Sequence, residues 1–419
     1  MPFGFYIIMA AQFFSALADH AILIIAIDIL KNVDAETAEM TRNYEPFLKI
    51  FFSFFYVALA AFVGAFADSM TKRRVMFISN TIKIGGCMLL FMGAHPVLAY
   101  AIIGLGAATY SPAKYGILTE YLPHRKLVVA NTWIEGLTVG AIILGTVIGG
   151  ALTNKELVTW LNSLDMSLFD GAHASIAIIG LLYLLAAIFN LFIPDTGVDH
   201  KPLRTNPIYL LHDFWHCLKL LWRDKLGQIT LSATTLVWGV AGVLQILVLK
   251  WAENNLGLKN LQEQTLMTGV VVLGVAIGAV LASRISLRRS VTVFPVGILM
   301  GLCLLIMPFI TNIYFAVITL IFVGACGGYF VVPMNALLQH RGHILMGAGH
   351  SIAVQNFNEQ LSTLLMNACY AGLLYIGLNI NIIVFAFGIM VAVSMALIRR
   401  WHDLNQKRNN VMAQLDNIH

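Results

Sequence analysis

The chain has 419 residues, of which 59% are hydrophobic and only 11% are charged. Soluble domains carry about 25% charged residues, so this composition excludes an ordinary soluble protein and indicates lipid as the solvent. The net charge of +5 fits the basic loops of a membrane protein and does not indicate a nucleic-acid-binding protein. The long apolar runs do not alternate with polar residues, which favours spanning helices over a β-barrel.

Twelve apolar segments are long enough to cross a bilayer, which needs about 20 mostly apolar residues. The first six lie at 5–30, 47–67, 75–95, 97–121, 128–153 and 173–194. The last six lie at 228–254, 263–284, 291–311, 313–339, 348–372 and 377–400. The predicted fold class is therefore an all-α membrane protein with twelve transmembrane helices in two six-helix halves.

The basic residues predict the orientation of these helices. The connections after even-numbered spans, with the C-terminal end, contain eighteen Lys and Arg residues, whereas those after odd-numbered spans and their flanks contain five. Lys and Arg are retained on the cytoplasmic side of a membrane. We therefore expect both termini in the cytoplasm, which also requires an even number of spans.

The longest connection divides the chain. We predict an N-terminal half at 1–194, a cytoplasmic linker at 195–227, a C-terminal half at 228–400 and a cytoplasmic tail at 401–419. The linker has a helical period that places five apolar residues on one face: Leu211, Phe214, Trp215, Leu218 and Trp222. Three basic residues flank this face: Lys219, Arg223 and Lys225. The pattern is typical of an amphipathic helix on the cytoplasmic leaflet, and the segment also serves as a tether.

Two sequence motifs recur between the halves. The segment Gly64–Arg74 at the end of the second span corresponds to Gly274–Arg284 at the end of the eighth, 210 residues later. Gly106–Lys114 in the fourth span corresponds to Gly327–Asn335 in the tenth, 221 residues later. Two matches at nearly the same shift indicate a parallel repeat, a plan of transporters that places the substrate site between the repeats near the midplane.

The first of these motifs resembles the signature loop of the major facilitator superfamily. Gly64 would allow close helix packing, and Asp68 could bond a neighbouring helix end or the basic run Lys72, Arg73 and Arg74. We predict that these five residues form a cytoplasmic gate that opens when the halves move. The alternative is that the basic run only sets the topology.

Ionisable and amide side chains within the spans are the candidates for substrate binding, because a charge at the bilayer centre costs about 2.5–3.5 kcal/mol on insertion scales. The predicted substrate-binding residues are Asp19, His20, Lys114, Asn131, Glu135, Gln245, Lys250, Gln355, Asn356 and Glu359. Lys83 lies on a peripheral span near its cytoplasmic end, so we interpret it as a structural residue whose ammonium reaches the membrane surface.

Several of these residues have more than one interpretation. Lys114 and Glu135 lie at similar depth on consecutive helices and could form a pair. His20, next to Asp19, could relay protons or simply form a hydrogen bond in a cavity. Lys250 could reach outward to the membrane surface.

The sequence contains no enzyme signature such as a nucleophile elbow, a Walker loop or a zinc-protease motif. The five cysteines lack a metal-binding spacing, so we interpret them as buried small apolar residues. We therefore predict neither enzyme activity nor a cofactor or metal ion.

Four segments resemble helices 1, 4, 10 and 11 of the bacterial lysophospholipid transporters: Ala11–Asp19, Tyr110–Leu118, Gly327–Gln339 and Ile352–Asn356. The similarity runs over nearly the whole chain. It implies the major facilitator fold and alternating access. It also implies movement of lysophosphatidylethanolamine and lysophosphatidylglycerol from the outer to the inner leaflet of the bacterial inner membrane.

The resemblance further implies a partner, an acyltransferase–acyl-carrier-protein synthetase that re-acylates the lipid, and we expect it as a separate chain. In this reading Asp19 and Glu359 contact the amine or glycerol part of the head group, and Lys114 contacts the phosphate. If Asp19 meets the ammonium, Asp19→Asn should impair lysophosphatidylethanolamine more than lysophosphatidylglycerol.

The sequence departs from the family at three positions. His20 and His350 stand where the relatives have Asn, and Gln245 stands where they have a basic residue, a role that Lys250 could take over. Two other functions stay open: a proton-coupled exporter of amphipathic small molecules that uses Asp19 or Glu135 as proton carrier, and a membrane scaffold for the acyltransferase.

Overall fold

The structure is a computed structural model that describes residues 2–32, 45–122, 124–154, 171–197, 206–285, 287–346 and 348–409, with positions 157 and 159. Throughout these ranges the regular secondary structure is helical. The chain forms two compact units: Met1–Leu210 with Leu258–Gly269, and Leu211–Gly257 with Val270–His419. Each unit is built from helices that pack side by side.

Seven helices account for the six spans predicted in the first half. They are α1 (Phe3–Asn32), α2 (Glu45–Ala58), α3 (Ala60–Asp68), α4 (Lys72–Phe91), α5 (Pro96–Tyr121), α6 (His124–Leu152) and α7 (Gly171–Leu191). The second predicted span is divided into α2 and α3 because Leu59 leaves the helical conformation, with φ −103° and ψ 2°. The other five spans each correspond to one helix.

The second half begins with the linker helix. Its helices are α8 (Pro207–Arg223), α9 (Lys225–Leu256), α10 (Leu261–Ala282), α11 (Phe294–Leu304), α12 (Ile313–Met346), α13 (Ala348–Tyr375) and α14 (Ile380–Asn409). The ninth predicted span is composite, since 3-10 turns at Leu287–Val293 and Met307–Phe309 flank α11. The repeated motif of α5 and α12 keeps a proline inside each helix, Pro112 and Pro333.

Nine helices of the described part of the chain are long and apolar enough to cross a membrane. A tenth apolar stretch, Gly136–Leu152 in α6, is shorter. The prediction of a multi-pass α-helical membrane protein is thereby confirmed.

Glycines allow α10 and α12 to approach closely. Gly274 and Gly278 of α10 face the backbone of α12, and Gly324 and Gly328 of α12 face the backbone of α10. A Cβ atom at Gly278 would collide with the carbonyl oxygen of Ala325. Small residues at such spacing are typical of membrane helix interfaces, where packing rather than the hydrophobic effect holds helices together.

The apolar face of the linker helix α8 is buried only in part. Phe214 and Leu218 pack into the core of the second unit. Leu211, Trp215 and Trp222 are 50%, 53% and 37% exposed. The helical period identified this face, but it could not predict which of its residues pack against protein and which remain exposed.

Polar contacts fix the corner between α8 and α9. The Asp224 carboxylate caps α9 by accepting a 2.8 Å hydrogen bond from the Gly227 N–H. It also accepts two hydrogen bonds from the Arg341 guanidinium, at 2.9 and 2.7 Å. Next to this corner, the Trp222 indole N–H donates to Asn358 Oδ1 at 3.2 Å. Asp224, between α8 and α9, is thus bonded to α12, and Trp222 of α8 is bonded to α13.

We expect Gly278→Val to destabilise the protein by about 1–3 kcal/mol, because the added side chain overpacks the α10–α12 interface. Thermal unfolding of the purified protein in detergent measures this as a lower melting temperature. Gly372→Ala in α13 is the matched control, because nothing lies within 4 Å of a Cβ there. Equal melting temperatures for Gly278→Val and the native protein would contradict the close packing.

Candidate functional site

The side chain of Asp19 in α1 lies at the centre of a polar network in the first unit. Its Oδ2 atom accepts a hydrogen bond from Lys83 Nζ of α4 at 2.6 Å. Its Oδ1 atom accepts a hydrogen bond from the Tyr183 hydroxyl of α7 at 2.8 Å. Both carboxylate oxygens therefore have partners within the protein, and the network joins three helices.

Lys83 lies inside the protein, so the expectation that it reaches the membrane surface is wrong. Its ammonium donates a second hydrogen bond to Ser15 Oγ at 3.0 Å, and Ser15 in turn donates to Asn80 Oδ1 at 2.7 Å. The ammonium also lies 5.2 Å and 5.7 Å from the ring centroids of Tyr110 and Tyr183, within the range of cation–π attraction. A buried lysine needs such compensation, because desolvation of an unpaired ammonium is costly.

The two ends of the ion pair differ in accessibility. The Lys83 side chain is 2% exposed, whereas that of Asp19 is 16% exposed. The carboxylate is therefore the accessible end of the pair, and the ammonium lies behind it.

The polar residues that precede Asp19 on α1 do not extend an open polar path. Gln12 is buried and donates to Thr138 Oγ1 of α6 at 3.1 Å. Ser15 is buried between Lys83 and Asn80 of α4. Both side chains therefore bond neighbouring helices of the same unit.

Other predicted substrate-binding residues are partly accessible. His20, Lys114, Gln245, Lys250 and Asn356 are half-buried. The Lys114 ammonium lies 4.8 Å from the ring centroid of the adjacent Tyr115.

The side chains of Asn131 and Glu135 lie outside the described residues. The pairing of Lys114 with Glu135 therefore stays a prediction.

A second polar cluster lies in the other unit, between α12 and α13. The buried Gln355 side-chain amide donates to Glu359 Oε1 at 2.8 Å and to Asn335 Oδ1 at 3.2 Å. The Thr363 hydroxyl donates to the Glu359 carbonyl at 3.0 Å. Here a carboxylate of the second half is held by an amide.

At the predicted gate, Lys72 is buried and bonded within the first unit. Its ammonium donates to the Ala67 carbonyl at 2.7 Å and lies 3.4 Å from Glu120 Oε1 at the end of α5. Glu120 Oε2 accepts a hydrogen bond from the Thr196 hydroxyl at 3.1 Å. Glu120 at the end of α5 is therefore a described partner of the basic run.

The remaining gate residues are described only in part. Arg73 is half-buried and Arg74 is exposed. The packing around Gly64 and the side chain of Asp68 lie outside the described part of the chain. The bond between Asp68 and the basic run therefore stays a prediction.

One group of possible metal ligands was not visible in the sequence spacing. The side-chain donor atoms of Asp213, Cys217 and His350 lie within 4.8 Å of one another, and His350 Nε2 lies 3.1 Å from Asp213 Oδ2. Burial, with the nearby Asp213 charge, raises the pKa of the Cys217 thiol. Because metal ions bind the thiolate, the arrangement favours a hydrogen bond between His350 and Asp213 beside a neutral thiol.

A family model described as Major Facilitator Superfamily matches residues 8–366. The chain belongs to the major facilitator superfamily. Members of this superfamily are transporters, so the expectation that the chain is not an enzyme is confirmed. The predicted major facilitator fold, with its two six-helix halves, is confirmed as well.

Relatives and a solved structure agree with this assignment. The chain is 35% identical to "Lysophospholipid transporter LplT" of Yersinia enterocolitica over 90% of this chain and 89% of the relative. It is 36% identical to the protein of the same name from Serratia proteamaculans over 87% of each. A bacterial homologue of the human lysosomal transporter Spinster, solved inward-facing and unoccupied, has the same fold with a TM-score of 0.65 and 12% identity, over 97% of this chain and 98% of that one.

Sequence reasoning missed the role of Lys83 and the contribution of Tyr183. A usable signal was present, because Ser79, Asn80 and Lys83 fall on one face of a helix. A lysine that reaches the membrane surface does not need polar neighbours along its own face. Tyr183 gave no comparable signal, since no Asp, Glu, Lys or Arg accompanies it in its predicted span.

We expect Lys83→Met to destabilise the protein by about 3–5 kcal/mol, because it leaves a largely buried carboxylate without its counter-charge. Asp19→Asn should destabilise it for the reciprocal reason. The double variant Asp19→Asn with Lys83→Met should regain much of the loss, because neither charge then remains. Thermal unfolding in detergent measures all three.

Lys219→Met, which removes an exposed lysine of α8, is the control for the loss of one positive charge. If the effects of the two single substitutions simply add in the double variant, the ion pair does not contribute to stability.

Proposed function

We propose that this major facilitator protein moves lysophospholipids, chiefly lysophosphatidylethanolamine and lysophosphatidylglycerol, from the outer to the inner leaflet of the bacterial inner membrane by alternating access. The observation that carries this proposal is the identity of about 35% with lysophospholipid transporters over 90% of the chain. Ionisable side chains on otherwise apolar helices fit an amphiphilic substrate. The polar head group would pass the ionisable residues while the acyl chain stays in an apolar environment.

The head group would use residues of both halves. Lys114 would bind the phosphate as a point charge, and Gln245 or Lys250 would supply further polar contacts. Glu359, held by Gln355 at 2.8 Å, would contact the amine or the glycerol hydroxyls, with Asn356 beside it. Asp19 would contribute through its accessible carboxylate.

The same proposal includes the orientation of the protein in the membrane and the enzyme that uses the lipid. Both termini would lie in the cytoplasm, as the distribution of Lys and Arg predicts. The exposed side of α8 would lie on the cytoplasmic leaflet, with Leu211 and Trp215 in the lipid and the Lys219 ammonium 5.4 Å from the Trp215 ring centroid. A separate acyltransferase–acyl-carrier-protein synthetase would consume the delivered lipid.

Transport would run down the lipid gradient without ion coupling. A proton carrier must bind and release protons during each cycle, whereas protonation of Asp19 would break its 2.6 Å ion pair with Lys83. Removal of the product by acylation would maintain the gradient.

Reconstitution into liposomes tests this function. Labelled lysophosphatidylethanolamine is placed in the outer leaflet at equal pH and salt on both sides, and albumin extracts the fraction that remains outside. We expect the extractable fraction to fall faster with the protein than in protein-free liposomes, because the carrier supplies a path for the head group. The same rate is expected after protonophores and sodium ionophores are added.

Equal rates with and without the protein would refute lipid transport. Transport that requires a proton gradient, and that is abolished by the protonophore, would support the alternative of a proton-coupled exporter.

We expect Lys114→Ala to reduce transport of both lipids by about tenfold or more, because all head groups share the phosphate and a charged hydrogen bond contributes ~1.5–3 kcal/mol. Uptake of each lipid at several concentrations, normalised to the amount of protein in the liposomes, measures the loss.

The double variant Lys114→Ala with Glu135→Ala separates phosphate binding from charge balance. If Lys114 binds phosphate, the double variant stays inactive. Recovery of transport in the double variant would mean that Lys114 only neutralises Glu135.

A further inference from the structure

We propose that Lys83 sets the head-group tolerance of the transporter by occupying the Asp19 carboxylate, so that this carboxylate does not select lipids that carry an ammonium. The inference rests on the proposed lysophospholipid transport. It concerns a residue on a peripheral helix for which no role in substrate choice was expected.

Lys83 and the lipid amine are chemically alike. The Lys83 side chain and the ethanolamine head group both end in an ammonium, and both are suited to a carboxylate partner. Lys83 holds Asp19 Oδ2 at 2.6 Å, so an incoming ammonium would have to compete with a cation that is already in place. The glycerol head group makes no such demand, because it bears hydroxyls and no positive charge.

Further contacts keep Lys83 in place. Its ammonium has a further acceptor in Ser15 Oγ at 3.0 Å, and the ring centroids of Tyr110 and Tyr183 lie 5.2 Å and 5.7 Å away. These contacts stabilise the ammonium behind the carboxylate, where the side chain is only 2% exposed. A lipid ammonium that displaced Lys83 would leave a buried cation with one acceptor fewer, which is costly.

A substrate would contact the Asp19 end of the ion pair. The accessible end of the pair is a carboxylate whose charge is already compensated and whose second oxygen is hydrogen-bonded to Tyr183. Such a surface is polar but nearly neutral. It therefore distinguishes little between an ammonium and a hydroxyl, and lipids with either head group can pass.

Removal of the Lys83 charge should convert this surface into a cation site. In Lys83→Met the Asp19 carboxylate lacks a counter-ion in a setting of low dielectric constant, and the lipid ammonium can supply one. The glycerol head group has no positive charge, so it cannot supply a counter-ion. The carboxylate should then favour the amine-bearing lipid.

The experiment measures the ratio of lysophosphatidylethanolamine to lysophosphatidylglycerol transport in liposomes, with both lipids supplied together and distinguished by label. We expect Lys83→Met to raise this ratio by about tenfold over the native protein, since each unpaired charge in such a site shifts relative affinity by at least one decade. Lys83→Arg keeps the cation and should keep the ratio. The double variant Asp19→Asn with Lys83→Met has neither charge and should return to the native ratio.

A second variant covers the case in which Lys83→Met does not fold. Lys83→Gln keeps a hydrogen-bond donor on this side chain but removes its positive charge. The Asp19 carboxylate is then uncompensated, so the ratio should again rise above the native value.

The outcomes separate this inference from the function on which it rests. If the native protein moves neither lipid, the proposed function fails. If it moves both but a folded Lys83→Met protein keeps the native ratio, or loses both activities alike, Lys83 does not set head-group tolerance. An unchanged ratio in a folded Lys83→Gln protein overturns the inference as well.

Discussion

The ion pair between Asp19 and Lys83 organises the first half of the molecule. Helices in a membrane gain little from the hydrophobic effect when they associate, so close packing and polar bonds must hold them. Asp19 provides such bonds to α4 through Lys83 and to α7 through Tyr183. A charge on either helix alone would be costly in this environment, and the two charges together allow each other to remain inside.

A carboxylate in each half is bonded to side chains of the same half. In the first half Asp19 pairs with the full positive charge of Lys83. In the second half Glu359 accepts a hydrogen bond from the side-chain amide of Gln355, which also donates to Asn335. The halves therefore share a repeated backbone motif in α5 and α12, whereas these described contacts differ in their chemistry.

The sequence predicted the helices well and their partners poorly. Apolar runs of about 20 residues have few alternatives in a bilayer, so each predicted span corresponds to one helix or to consecutive helical segments. The break at Leu59 escaped notice because no glycine or proline marks it. The partner of Asp19 also escaped, since Lys83 lies 64 positions away and helical periodicity gives a face without saying which neighbour the face meets. The period of α8 likewise identified its apolar face without showing how much of that face is buried.

The corner at Asp224 makes α8 mechanically part of the second half. Arg341 ties the start of α9 to α12, and the bond from Trp222 to Asn358 ties the end of α8 to α13. The side of α8 that carries Leu211 and Trp215 remains exposed. A molecule that binds the exposed side of α8 would therefore act mechanically on α12 and α13 without contacting either of them.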